Sequence, residues 1–152
     1  MPQIVLVEPE IPPNTGNVAR TCAATQTPLH LVEPLGFEIN DRQLKRAGLD
    51  YWPHVPLERH ANWRAFQKHH QGHQGRLLGF SRHAKRSYLE VDYREDDWLI
   101  FGCETRGLAP EVQENCDDLL LIPMTCSAVR SLNLSVAAAV VLFEARRQLI
   151  TG

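Results

Sequence analysis

With 152 residues, 17.3 kDa, 43% hydrophobic and 22% charged residues, the chain has the size and composition of one globular domain, residues 1–152. This composition excludes a chain that is disordered throughout, and no apolar run approaches the roughly 18 residues that a membrane span needs. The first residues lack the basic and apolar regions of a signal peptide, so we expect a cytoplasmic protein with no membrane partner.

Short apolar segments alternate with amphipathic ones along the chain. Strands are predicted at residues 4–7, 29–32, 76–80, 98–102 and 119–122, with a weaker candidate at 55–57. Helices are predicted at residues 15–25, 41–47, 62–69, 110–115 and 133–149. The strands are apolar almost throughout, which is typical of a parallel sheet covered on both faces. The sequence therefore predicts a doubly wound α/β domain.

The net charge of −2 conceals two blocks of opposite sign. Residues 59–86 carry seven Lys or Arg and no acid, whereas residues 87–118 carry two Arg against ten acids. One interpretation is a face that binds a polyanion such as RNA, and the other is two solvated faces of opposite charge. Composition alone does not separate these two interpretations.

The cysteines and histidines show no metal-binding pattern. Four cysteines form no CxxC pair and lie near no HxxxH pattern: Cys22, Cys103, Cys116 and Cys126. The histidines of HHQGH, residues 69–73, stand beside glycine and glutamine in a segment predicted to be a flexible loop. We therefore expect reduced thiols and no metal.

Three loops that follow predicted strands carry unusual chemistry: residues 8–20, 102–108 and 123–133. Each has a purely structural explanation when it is taken singly, as a turn, a tight backbone path or a helix cap. The carboxyl ends of parallel strands meet at one sheet edge, and each loop leads to a helix whose first N–H groups attract electronegative ligands. Together the loops predict a ligand site at that edge.

The sequence lacks the signatures of several common ligand sites. It has no GxGxxG after the first strand, no GxxxxGK[ST] and no GxSxG. These absences argue against a nicotinamide enzyme, a P-loop phosphotransferase and an α/β-hydrolase.

Three segments resemble the motifs of the SPOUT class of RNA methyltransferases: PEIPPNTGNVART, LIFGCETRGL and IPMTCSAVRSLNLSVAAAVVLFEA. More narrowly, nearly the whole chain is similar to the small tRNA wobble-position ribose 2′-O-methyltransferases. One departure is Cys103, where relatives more often carry Ser or Pro. The resemblance implies a parallel-sheet α/β domain whose C-terminal segment forms a trefoil knot, a rare exception to unknotted topology.

The resemblance also implies S-adenosylmethionine as the cofactor, held in the knot loops. The cofactor-binding residues would be Leu78, Phe80, Gly102, Cys103, Glu104, Gly107, Ile122, Met124, Ser131 and Leu132. The catalytic residues would be Arg20, Asn14, Glu104, Ser131 and Asn133. The family assigns activation of the ribose hydroxyl to Arg20. Because a guanidinium is a poor base, a grip on the neighbouring phosphate, which then accepts the proton, is the alternative.

The implied partners are the anticodon stem-loop of tRNA and a second copy of the chain. RNA is expected on Arg42, Lys45, Arg46 and the basic block at residues 59–86. A homodimer is expected on the last helix and on a face of the first that contains Val18, Ala19 and Cys22. Two alternatives stay open, which are a methyltransferase acting on rRNA or another tRNA position and a nucleotide-binding module without catalysis.

Overall fold

The strands form one sheet in which every hydrogen-bonded pair is parallel. The computed structural model describes residues 1–151, without the side chains of residues 48–50 and 151. Within that range the strands are β1 (Gln3–Val7), β2 (Leu29–Val32), β3 (Leu57–His60), β4 (Leu77–Phe80), β5 (Arg86–Ser87), β6 (Trp98–Phe101) and β7 (Asp118–Leu121). Their order across the sheet is β3-β2-β1-β6-β4-β7-β5, which confirms the predicted parallel α/β class.

The helices follow the predicted positions with shifted ends. They are α1 (Pro12–Thr25), α2 (Arg42–Gly48), α3 (Trp63–Gln71), α4 (Pro110–Asn115) and α5 (Leu134–Thr151), with 3-10 turns at Leu49–His54 and Tyr88–Glu90. The prediction that α1 begins near Thr15 is wrong, because Pro12 and Pro13 occupy its first two positions, where a missing N–H breaks no helical hydrogen bond.

Two strands differ from the sequence prediction. The weak candidate at residues 55–57 is β3, Leu57–His60, and the two-residue strand β5 was missed. Both carry polar or charged residues where the other strands are apolar, since they form the two edges of the sheet. Hydrophobic pattern is a weak signal for such edge strands.

The side chains of each strand alternate between two cores. Ile4 and Leu6 of β1 pack with α1 and α5, whereas Val5 and Val7 pack with α3 and α4 on the opposite face. Each fully buried side chain of this size contributes about 1.5–3 kcal/mol relative to an exposed one. The two helix layers therefore cover both faces of the sheet, as its apolar strands predicted.

The face of α1 that was expected to need a partner is already covered. Val18, Ala19 and Cys22 are buried in the core between α1, α5 and the sheet. Residues that remain exposed on α5 include Val136, Phe143 and Ile150. Within the described residues, no helix is both long and apolar enough to cross a membrane. The knot that the resemblance implies stays a prediction.

Candidate functional site

A cavity of about 420 Å³ opens at the carboxyl edge of the sheet, within the size range of sites for small ligands and cofactors. The segments after β4, β6 and β7 line it together with the beginnings of α1 and α5. Eleven of the predicted site residues lie in its wall: Asn14, Phe80, Gly102, Cys103, Glu104, Gly107, Ile122, Met124, Ser131, Leu132 and Asn133. The three loops singled out in the sequence thus meet in one cavity.

Leu78 is a correction to the predicted set. Its side chain is fully buried in the core with α1 and α5 and does not line the cavity. Leu78 and Phe80 point to the same face of β4, but only Phe80 stands at the carboxyl end of the strand. On β4 the cavity wall therefore begins at Phe80, two residues after Leu78.

Arg20 also lies outside the cavity wall. It is the ninth residue of α1, and not the sixth as the predicted helix at 15–25 implied, because the helix begins at Pro12. Its side chain is exposed, and its guanidinium carbon lies 5.4 Å from the centre of the Tyr51 ring. Such a cation–π contact contributes about 0.5–1 kcal/mol at an exposed position.

Aromatic rings form the apolar part of the cavity. The rings of Phe80 and Phe101 stack with centres 4.8 Å apart and planes 11° apart. Leu108, Ile122 and Leu132 add aliphatic wall. Phe101 and Leu108 were not predicted as site residues. The place of Phe101 at the carboxyl end of β6 would have been enough to predict that it lines the cavity.

The carboxylate of Glu104 joins the segment after β6 to the start of α1. It accepts hydrogen bonds from the backbone N–H of Glu10 at 2.9 Å and of Ile11 at 2.8 Å. The side-chain amide of Asn14 donates to the same carboxylate at 3.2 Å. Pro12 and Pro13, the first two residues of α1, have no N–H, and the N–H groups of Glu10 and Ile11 just before the helix are taken up by Glu104.

Two asparagines extend this network to α5. The Asn133 side chain donates to Asn14 Oδ1 at 2.9 Å, and its own Oδ1 accepts from the backbone N–H of Ser135 at 2.9 Å. Ser135 Oγ donates to that same oxygen at 2.6 Å. Asn133 therefore caps α5 and joins it to α1, and the same side chain also lines the cavity.

A second carboxylate closes the same junction from the other side. Glu10 accepts from the Thr105 N–H at 3.1 Å and from the Thr105 hydroxyl at 2.5 Å. These bonds, the side-chain one first, lower the pKa of Glu10 from its ordinary value. Residues 10–14 and 104–105 are thus held by hydrogen bonds in both directions.

Two glycines shape the loop between residues 102 and 108 for different reasons. A Cβ on Gly102 would lie 2.2 Å from the Gly107 carbonyl carbon and 2.3 Å from Leu108 N. Gly107 has open space around it but a φ of +68°, which side chains rarely adopt. The close approach at Gly102 is therefore to the loop's own backbone, which folds the loop against the cavity.

The rim of the cavity is positively charged. Exposed Arg82, Arg106 and Arg130 line it, together with His83. Arg106 and Arg130 were missed as site residues, although each lies within a motif quoted in the sequence analysis. Anions, phosphate groups among them, are the ligands that such a rim attracts.

The basic block at residues 59–86 is not one open surface. Three of its side chains pair with carboxylates, Arg59 with Glu33, Arg76 with Asp97 and Arg86 with Asp118. Asp97 is fully buried and accepts two 2.8 Å bonds from Arg76, so this pair belongs to the core at the start of β6. The charge excess counted in the sequence therefore overstates the surface available to a polyanion.

Comparison with known proteins gives concordant results. Residues 1–143 match the model of the SpoU rRNA Methylase family. A tRNA (cytidine(34)-2'-O)-methyltransferase of Saccharophagus degradans is 52% identical over 148 residues, which cover 96% of this chain and 94% of that protein.

Solved structures match over the full chain. One described as "Structural insights into the 2-OH methylation of C/U34 on tRNA" has a TM-score of 0.94 and 50% identity, covering 100% of this chain and 98% of its own. The SpoU methyltransferase AviRb of Streptomyces viridochromogenes in complex with AdoMet has a TM-score of 0.89 and 26% identity, covering 100% and 58%.

We predict that Gly102→Ala destabilises the site loop. The added methyl group would overlap backbone atoms of Gly107 and Leu108, which overpacks the loop by about 1–3 kcal/mol or more. Gly72→Ala is the matched control, because its nearest atom is 3.5 Å away, and we expect a change within about 0.5 kcal/mol. Denaturant unfolding measures both, and equal stability of the two variants would contradict the prediction.

Proposed function

Because the chain belongs to the SpoU rRNA Methylase family, we propose that it transfers a methyl group from S-adenosylmethionine to the ribose 2′-hydroxyl of a tRNA wobble nucleotide, cytidine or uridine 34. The observation that carries the proposal is the convergence of three motif segments on one cavity with an apolar slot and a cationic rim. The chain's 52% identity to a cytidine(34) methyltransferase supports the choice of nucleotide. A tRNA substrate is also the reason to expect the cytoplasm as the compartment.

The residues of the cavity suit S-adenosylmethionine. The stacked rings of Phe80 and Phe101, with Ile122 and Leu132, offer an apolar slot for an adenine, and the backbone of residues 102–107 offers polar partners. Ser131 and Asn133 stand at the cavity wall where α5 begins. The cofactor, when bound, supplies a methyl group activated by its sulfonium.

Catalysis by the chain itself is mainly positioning. The hydrogen bonds among Glu104, Asn14 and Asn133 hold the two helix starts and the loop after β6 in one arrangement around the reacting groups. Arg20 lies outside the cavity and a guanidinium is a poor base, so we assign to it a grip on a substrate phosphate. The phosphate oxygen, and not the guanidinium, then accepts the hydroxyl proton.

The RNA surface in this proposal runs from α2 to the cavity rim. Arg42, Lys45 and Arg46 are exposed on α2, which packs against α1. Arg82, Arg106 and Arg130 continue the positive charge to the cavity. Phosphate contacts at these side chains would position the stem-loop, while an unstacked wobble base leaves its ribose accessible to the cavity.

A homodimer through α5 is also part of the proposal. Val136, Phe143 and Ile150 are 48%, 53% and 68% exposed and are spaced by seven residues, so they lie along one side of the helix. A stripe of large apolar side chains on the last helix is suited to a two-fold contact. The face of α1 that contains Val18, Ala19 and Cys22 is buried within the chain, so we no longer expect it in the dimer contact.

The expected product is a single 2′-O-methyl group at position 34 of the accepted tRNAs. Total tRNA is incubated with the protein and S-adenosylmethionine, and the methylated nucleotides are mapped by mass spectrometry, with a reaction lacking the protein as the control. A methyl group at another tRNA position would move the assignment to that position, and methylation of rRNA in a parallel incubation would move it to the substrate that the family name carries. Cofactor binding without any transfer would support a non-catalytic module.

Arg20→Ala is expected to bind S-adenosylmethionine normally and to lose nearly all methyl transfer. Arg20 does not line the cavity, so calorimetric binding is retained while single-turnover methylation falls. Arg20→Lys keeps the charge but not the planar fork, and little activity should return. Arg94→Ala, which removes another exposed arginine, is the control. A rate within about threefold of wild type, about 0.6 kcal/mol, would exclude Arg20 from the reaction.

Phe143→Asp is expected to convert the dimer into monomers, because it introduces a charge into the apolar stripe of α5. Leu89→Asp is the matched control, since Leu89 is 57% exposed outside this helix. Sedimentation velocity at micromolar concentration separates the two states. A wild-type protein that sediments as a 17.3 kDa monomer would contradict the dimer.

A further inference from the structure

Three histidines and a glutamate meet away from the cavity. His30 on β2, Glu58 and His60 on β3, and His69 on α3 each offer one nitrogen or oxygen atom, and these four atoms lie within 4.8 Å of one another. None of the four residues lines the cavity at the carboxyl edge. The methyl-transfer proposal uses none of them.

Strand alternation explains why the cluster forms. His30 pairs in register with Glu58, and Val32 with His60, so three of the four side chains lie on the same face of two neighbouring parallel strands. Helix α3 covers this face and brings His69 in its last turn. The segment 69–73 was predicted to be a flexible loop, but His69, which ends the predicted helix at 62–69, lies inside α3.

The distances between the ligand atoms are close to those of a tetrahedral site. His30 Nδ1 lies 2.9 Å from His60 Nε2. Glu58 Oε2 lies 3.9 Å from His30 Nδ1, 4.0 Å from His60 Nε2 and 3.5 Å from His69 Nε2. Zn²⁺ with bonds of about 2.0–2.1 Å holds tetrahedral ligand atoms roughly 3.3 Å apart. Metal binding would therefore draw the more distant of these atoms together, since the four lie within 4.8 Å of one another.

The neighbours of His30 orient it as a ligand. Gln3 Oε1 accepts from His30 Nε2 at 2.7 Å, which leaves the lone pair of Nδ1 facing the cluster. A metal-bound histidine usually donates the N–H of its second nitrogen to a carbonyl or carboxylate oxygen, which fixes the orientation of the ring. Metal binding would replace the hydrogen bond between His30 and His60, with the His60 proton moving from Nε2 to Nδ1.

The electrostatics of the cluster favour neutral imidazoles. Burial, with the nearby histidines, lowers the pKa of His30 to about 3. Burial also lowers the pKa of His60, aided by His69 and opposed by Glu58. Neutral nitrogens are the form that binds a metal, and Glu58 adds one negative charge.

We propose that His30, Glu58, His60 and His69 form a Zn²⁺ site that ties the edge strand β3 and its neighbour β2 to α3. Imidazole and carboxylate donors in a four-coordinate arrangement are suited to this ion. Four protein ligands leave no open position, so the site is structural and separate from methyl transfer. Glu58 is 55% exposed and His69 26% exposed, which gives the ion a path from solvent.

The test uses the full chain, stripped of metal with a chelator and then titrated with Zn²⁺. We expect one tightly bound ion per chain by elemental mass spectrometry and a higher melting temperature in its presence. Co²⁺ in place of Zn²⁺ should give the visible absorption of a tetrahedral nitrogen–oxygen site. Stripped wild-type protein that takes up no ion would overturn the proposal.

Four variants identify the ligands. Glu58→Gln and His69→Gln, both at the exposed side of the cluster, should keep the fold by circular dichroism and weaken Zn²⁺ affinity by at least about tenfold. His54→Gln, an exposed histidine elsewhere, and Cys126→Ser, an exposed free thiol, should bind as wild type. Wild-type affinity in the first pair, or loss of binding in Cys126→Ser alone, would refute the assignment.

Discussion

The carboxylate of Glu104 is the contact on which the cavity depends. It connects a loop after β6 to backbone more than 90 residues earlier in the chain, and it does so through two backbone N–H groups and the Asn14 amide. Each hydrogen bond to a charged group contributes about 1.5–3 kcal/mol when sheltered and less at a partly exposed carboxylate such as this one. Without it, α1 would keep its packing on the sheet but lose its fixed position beside the cavity.

The position of α1 also determines how Arg20 lies relative to the cavity. The first turn of α1 carries Asn14 into the cavity wall, whereas Arg20 faces solvent two turns further along. In the proposed reaction, one rigid helix would present Asn14 to the cofactor and Arg20 to the substrate at a set distance. Precise relative placement of this kind is what catalysis by orientation requires.

Much of the fold and most of the cavity could be predicted from sequence, because the signals were local. Buried strands showed as apolar runs, and the three motif loops followed strands whose carboxyl ends had to share one edge. The errors had equally local causes. Helix α1 begins at Pro12, before its predicted start at residue 15, and the edge strands were misplaced or missed because they are polar and lack an apolar pattern. Leu78 was listed among the cofactor-binding residues because the sequence shows which residue it is but not how deeply it is buried in the sheet.

The histidine cluster was beyond prediction for a different reason. His30 and His69 are separated by 39 positions, and only the register of β2 with β3 and the packing of α3 bring them together. No spacing motif marks such a set, because its members come from three elements. Arg106 and Arg130, by contrast, lay inside recognised motifs and required only that exposed charge at a cavity rim be considered.

Asn133 links the start of α5 to the wall of the cavity. One side chain caps α5 and grips Asn14, so a displacement of the helix start alters the cavity wall. If the exposed stripe of α5 carries a subunit contact, association of two chains and occupancy of the cavity become linked equilibria. Linkage is reciprocal: whatever factor subunit association adds to ligand affinity, the ligand must return to the association constant. Protein concentration would then act as an effector of the site.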